Sequence, residues 1–257
     1  MLLEDKIAVV YGAAGAVGGA VARAFAREGA RVILAGRTLA PLDEVAEGIR
    51  AAGGVADTAE VDALDQEAVD AFVDAVVARF GRIDVSFNAV TYGDVQGAPL
   101  VDLPTERLAR PIANALRTHH LTTRAAARSM VRQGAGVILT VTGHRPPTPG
   151  IGSTMVTWDA VQGLLRQFAA ELGPKGVRVA WLRTAGFVES ILEAPDYGSS
   201  YTPLAGRELL KELEAGTMLD RLPSLAEAGD LAAFLASERA RSITAAGVNI
   251  TSGAVAD

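Results

Sequence analysis

At 257 residues the chain is long enough to bury most of its unfolded surface in one α/β domain, without a disulfide or metal staple. Cysteine is absent, which excludes disulfides, thiolate nucleophiles and cysteine-ligated zinc and fits a reducing, cytoplasmic setting. A net charge of -6 and an isoelectric point of about 5.2 argue against a nucleic-acid binder. Glu4 and Asp5 stand where a secretory signal would carry positive charge, and the uncharged run 7–22 is shorter than the roughly 20 residues of a membrane span.

Apolar runs alternate with helix-period segments along the chain. Ile7–Tyr11 has the continuous apolar character of a buried parallel strand, and a helix follows from about Ala16 to Arg27. Strands are expected at Arg31–Ala35, Val55–Val61 and Ile83–Phe87, the last preceded by a helix over Asp65–Phe80. A long helix over about Thr105–Arg132 contains Pro111, a kink or a late start. The fifth strand, Val137–Val141, leads into a loop with Pro146, Pro147 and Pro149, and a helix over about Thr154–Leu172 stops at Gly173-Pro174. Val177–Leu182 is the sixth strand. Ser224 and Glu227 have capping-box spacing at the start of a further helix, and Gly247–Thr251 is the last strand. Repeated β-α-β units without linkers predict a single-domain, doubly wound parallel sheet, with ligands at the carboxyl ends of its strands.

The loop Tyr11-Gly-Ala-Ala-Gly-Ala-Val-Gly18 lies between the first strand and its helix. Glycines there let the backbone turn tightly and approach a pyrophosphate, which the helix N-terminus attracts. The second strand leads into Gly36-Arg37-Thr38, with no acid to bind ribose hydroxyls, and Arg37 is placed to clamp a 2′-phosphate. NADP(H) is therefore expected ahead of NAD(H), unless Arg37 is only a solvated helix-start residue.

With these motifs the chain resembles the short-chain dehydrogenases/reductases over nearly its whole length. Gly12 and Gly18 match the first and last glycines of the family's Thr-Gly-x-x-x-Gly-x-Gly motif, with Ala16 and Tyr11 as departures. Val61-Asp62 is similar to the family's adenine-contacting stretch, and Ile83–Asn88 to the run into its Asn-Asn-Ala-Gly motif. Leu164–Val179 is the most specific match. The resemblance implies a Rossmann-type sheet of seven strands, a nicotinamide cofactor and a homo-oligomer, tetramer or dimer. It places cofactor contacts at Gly12, Ala14, Val17 and Gly18 in the first loop, and at Gly36 and Arg37 after the second strand. Asp62 and Ala63 follow the third strand, Asn88 and Ala89 the fourth, and Gly186 and Val188 the sixth. A substrate lid over about 184–215, with Pro195, Tyr197, Gly198 and Tyr201, is expected.

The family's chemistry uses Tyr-x-x-x-Lys on the helix after the fifth strand, with a Ser at the strand end. Counted back from Glu171-Leu172, the Tyr position holds Thr154, the Lys position Trp158, and the Ser position Thr142 or Gly143. The only lysines are Lys6, Lys175 and Lys211, and none lies four residues after a tyrosine. A positioned general acid contributes about 3–5 kcal/mol, against about 7–11 kcal/mol from proximity, so hydride transfer survives its loss. Candidate substitutes are His144, Tyr92, Thr142 and Thr154. His119 and His120 diverge on a helix and suit packing or an interface, and no His-rich metal site is expected. The expected function is an NADP(H)-dependent oxidoreductase with a non-standard proton donor, acting on a small carbonyl, imine or activated alkene. The alternatives are a non-redox enzyme on the same fold (a lyase, isomerase or cyclase, its nucleotide vestigial or structural) and a non-catalytic nucleotide-binding partner subunit.

Overall fold

The computed structural model describes residues 1–145, 147–193 and 204–256, and its seven strands lie in the order β3-β2-β1-β4-β5-β6-β7. β1 (Ile7–Tyr11), β2 (Arg31–Gly36) and β3 (Val55–Glu60) build one side of the sheet. β4 (Val85–Asn88), β5 (Gly136–Gly143), β6 (Val177–Thr184) and β7 (Ala246–Asn249) build the other. Every neighbouring pair is parallel, so the doubly wound sheet read from the alternating pattern is the one observed.

All five residues of β1 are buried, because a central parallel strand has helices on both faces. Its alternate side chains enter two cores. Ala8 and Val10, with Val32 and Leu34 of β2, pack under α1 (Ala16–Arg27), α2 (Leu39–Ala51) and α8 (Leu225–Ala236). Val9 and Tyr11, with Ile33 and Ala35, pack under α3 (Gln66–Phe80), α4 (Thr105–Gln133) and α5 (Thr154–Leu172). Phe25 and Phe87 meet edge-on at 6.3 Å in the first core, each burial contributing about 1.5–3 kcal/mol.

The sequence reading passes from β2 to β3 without a helix, where the structure has α2. Pro41 sits in its first turn, where a missing N–H costs nothing, and Leu42, Val45, Ala46 and Ile49 form the buried stripe. Pro111 neither delays nor ends α4, which runs through it. β5 and β6 extend to Gly143 and Thr184, past their apolar runs, because their pairing continues through Thr142↔Arg183 and Gly143↔Thr184. Asp65 is the N-cap of α3 rather than its first residue, its carboxylate accepting from the N–H groups of Glu67 and Ala68. The capping box of Ser224 and Glu227 is present.

After β6 the chain forms α6 (Val188–Glu193) and α7 (Gly206–Ala215). Pro146, and Pro195, Tyr197, Gly198 and Tyr201 of the expected lid, lie outside the described residues. Among the described residues no helix is long and apolar enough to cross a membrane. The chain leaves β1 towards β2 and β3 and returns to β4 on β1's other side, so a crevice opens at the carboxyl ends of β1 and β4.

Candidate active site

Past the end of β1 the backbone turns at Gly12 with φ 72°, and a Cβ there would stand 2.7 Å from the Ala89 carbonyl oxygen. A Cβ on Gly18 would stand 2.3 Å from the carbonyl oxygen of Gly12. Both positions therefore require glycine if the loop is to lie flat between α1 and the end of β4. α1 begins after Gly15 with no side-chain cap and no acidic residue in its first turn, an arrangement that attracts an anion. A cavity of about 250 Å³ lies over this loop, lined among others by Gly12, Ala14, Gly36, Arg37, Asp62 and Ala63. Arg37 is exposed, and one oxygen of Asp62 accepts the Leu64 N–H at 2.9 Å.

A second cavity, of about 400 Å³, continues from the first, and residues 89–91 line both. Its floor is the end of β4. Asn88 is buried, donating to Thr118 at 3.3 Å and Thr122 at 3.0 Å on α4 while its Oδ1 accepts the Val90 N–H at 2.9 Å. Asn88 thus ties the shared wall to α4. Beside it, Thr140 Oγ1 donates to the Asn88 carbonyl at 2.6 Å and stands 3.0 Å from His119 Nε2. Burial lowers the pKa of His119 to about 4, against the opposing effect of its hydrogen bond to the Ala115 carbonyl. The ring is neutral at physiological pH, and it lines the cavity wall.

The proposed catalytic positions separate in the structure. Tyr92 and Thr142 line the second cavity, Thr142 buried with its hydroxyl 3.5 Å from the Leu182 carbonyl. His144 follows β5 with its backbone N–H on Thr184 O at 2.7 Å, and it is not among the lining residues. Thr154 is buried behind the wall. Of the other cofactor positions, Val17, Asn88, Ala89 and Gly186 line the second cavity, Gly18 lies beneath Gly12, and Val188 bonds the Pro223 carbonyl away from both.

Three features were not drawn from the sequence. The first is Asp94, whose carboxylate lines the cavity and accepts the Thr154 hydroxyl hydrogen at 2.5 Å. The second is the seating of its segment on the start of α5. Val95 N–H donates to Ser153 Oγ at 2.8 Å, Ser153 N–H to Val95 O at 2.9 Å, and Gln96 Nε2 to Thr154 Oγ1 at 3.1 Å. Gly152, at φ 59°, admits this approach, since a Cβ there would lie 1.9 Å from Val95 O. The third is the contact of Trp158 with Gly143, the six-membered ring covering the glycine so closely that a Cβ there would lie 1.4 Å from Cζ3. The indole and Tyr92 line the same cavity. Only the residue types, Asp-x-Gln after a strand and Gly-Ser-Thr before a helix, carry any trace of these contacts in sequence.

Residues 12–254 match a family profile described as enoyl-(acyl carrier protein) reductase. An L-rhamnose 1-dehydrogenase (NAD(P)(+)) of Azotobacter vinelandii is 33% identical over 268 aligned positions, covering 98% of each chain. An uncharacterized oxidoreductase of Mycobacterium tuberculosis is 32% identical, covering 98% of this chain and 92% of its own. Among solved structures, a short-chain dehydrogenase/reductase from Serratia marcescens superposes with a TM-score of 0.84 at 27% identity, covering 100% of both chains. The seven-stranded fold, the glycine loop at the sheet's switch point and these likenesses together place the chain in the short-chain dehydrogenase/reductase family of oxidoreductases.

Proposed function

We propose that the chain is an NADP(H)-dependent oxidoreductase whose small-molecule substrate needs little help from a protein proton donor: an imine or iminium, a strongly polarised alkene, or a carbonyl held by Tyr92. The observation that carries this is the pair of cavities joined along residues 89–91, one over the glycine loop and Arg37, the other over the end of β4. Their residues fit a nicotinamide dinucleotide. Gly12 and the uncapped start of α1 suit its pyrophosphate, Arg37 a 2′-phosphate, and Val17, Asn88 and Gly186 the nicotinamide end. When bound, the nicotinamide supplies or accepts a hydride.

Proton supply is where the residues depart from the family pattern. Thr154 and Trp158, at the Tyr and Lys positions, are not acids at neutral pH. Among the described residues, Tyr92 is the phenol that lines the cavity. Burial, and then the charge of Asp94, raise its pKa, with the neighbouring Trp158 acting the other way. Tyr92 therefore keeps its proton throughout the physiological range. It donates a hydrogen bond to a substrate but gives up the proton reluctantly, which favours substrates that need little proton transfer.

The test is calorimetric titration with NADPH and then NADH, on the wild type and on Arg37→Ala. Tighter binding of NADPH, with the preference reduced about tenfold or more by Arg37→Ala, is expected from loss of a charge-assisted phosphate contact. Failure of both nucleotides to bind overturns the proposal. Equal binding of the two overturns the NADP(H) assignment.

A further inference from the structure

We infer that the substrate end of the cleft is a site for an organic cation, with Asp94 as its counter-charge, so that the hydride acceptor is an iminium ion and the product an amine. This rests on the oxidoreductase proposal above and narrows it to one substrate class.

The carboxylate is built into place. Thr154 donates to Asp94 Oδ2 at 2.5 Å, Gln96 holds the same Thr154 hydroxyl at 3.1 Å, and the Val95–Ser153 pair of backbone-to-side-chain and backbone contacts fixes the intervening segment. One oxygen of Asp94 is thereby oriented at the start of α5, and the residue lines the cavity. Two aromatic side chains, Tyr92 and Trp158, line the same cavity, and an aromatic ring beside a carboxylate is the chemistry that receives a desolvated cation. Trp158 also puts a neutral ring where the family's motif has a cation, removing a charge that would repel such a ligand. Arg145 reaches the lining from the loop after β5 and is engaged in an interaction of its own.

The chemistry then closes without the missing acid. A bound reduced nicotinamide would supply the hydride for the new C–H bond, with the C=N π pair of the iminium passing to nitrogen. The nitrogen loses its positive charge, and no proton is transferred in that step. A carbonyl in the same place would develop an alkoxide and require one. The absent proton donor and the added carboxylate thus favour the same substrate.

The probes are piperidinium and its neutral ring analogue tetrahydropyran, with cyclohexanecarboxylate as the anion, titrated calorimetrically into the NADPH-saturated enzyme. Piperidinium is expected to bind about tenfold tighter than tetrahydropyran, and Asp94→Asn to abolish that preference. Trp158→Leu keeps the carboxylate and should reduce the preference severalfold, which covers the case in which Asp94→Asn does not fold. NADPH oxidation by the preformed N-methyl-3,4-dihydroisoquinolinium ion should follow the same order among the variants. A preference for the anion, equal binding of cation and neutral ring, no binding of piperidinium, or a preference unchanged in Asp94→Asn overturns the inference. Loss of NADPH binding in the wild type instead removes the oxidoreductase proposal on which it stands.

Discussion

Gly143 and Trp158 form a complementary pair, and Gly143→Ala tests it. The position is at the end of β5, and its φ is not positive, so the backbone accepts alanine and only the neighbouring side chain opposes it. An alanine Cβ would stand 1.4, 1.7 and 2.1 Å from Cζ3, Cε3 and Cη2 of Trp158, where ordinary contacts are 3.4–4 Å. The ring must therefore move by about 2 Å, beyond what packing relaxation absorbs. Overpacking of this kind costs about 1–3 kcal/mol. For a chain of this length that lowers Tm by about 2–6 °C. The assay is thermal unfolding of Gly143→Ala, Trp158→Ala and the double variant, followed by circular dichroism. The double variant should recover most of the Gly143→Ala loss, a coupling of at least about 1 kcal/mol. If Gly143→Ala costs as much without Trp158 as with it, the clash is not the cause and the ring does not sit where it is described.

Gly18→Ala puts a Cβ 2.3 Å from the Gly12 carbonyl oxygen, with backbone on every near side, so the loop must shift; NADPH affinity measured by calorimetry should fall about tenfold or more, with stability down by about 1–3 kcal/mol. Buried His119 has its pKa lowered from 6.5 to about 4, so its contribution is present above pH 6.5 and is lost as pH falls through about 4. Urea unfolding should show a loss of about 3 kcal/mol across that window, and His119→Gln should flatten it; an unchanged slope in the variant would assign the loss to other groups. Glu227, held at about 2 by the Arg221 hydrogen bond and then by Ser224, contributes stability above pH 4.5 that disappears as pH falls towards 2, and Glu227→Gln should lose this acid dependence. Ser224→Ala should cost about 1 kcal/mol at neutral pH, read from the urea midpoint, and a neutral result would mean that the capping box carries no net stability.

What sequence makes legible here is what local physics dictates. Ile7–Tyr11 has no polar face, so it belongs in the middle of a sheet, and the glycines after it suit a tight turn whatever lies above them. The spacing of Thr154 and Trp158 on one helical face follows from 3.6 residues per turn, and α5 has the bounds its pattern predicts. α2 was equally available in the spacing of Leu42, Val45, Ala46 and Ile49. The remaining site contacts have no local signature. Asp94 meets Thr154 across 60 positions of sequence, through a loop whose path is set by Gly152 and Ser153. Nothing near Asp94 distinguishes it from a solvated loop carboxylate until that path is known.

The same distance explains why Thr154 reads as a catalytic substitute in sequence and stands behind the wall in three dimensions. Its hydroxyl is turned to the Asp94 carboxylate, and the Trp158 ring four residues on needs a glycine opposite at 143. The four positions are coupled physically. Placing tyrosine at 154 without removing Asp94 would set a phenol against a carboxylate, and placing serine at 143 without removing Trp158 would set a side chain inside an indole. Thr154→Tyr or Gly143→Ser alone should therefore lower stability, read from thermal unfolding, and more than the same change made together with Asp94→Ala or Trp158→Ala respectively.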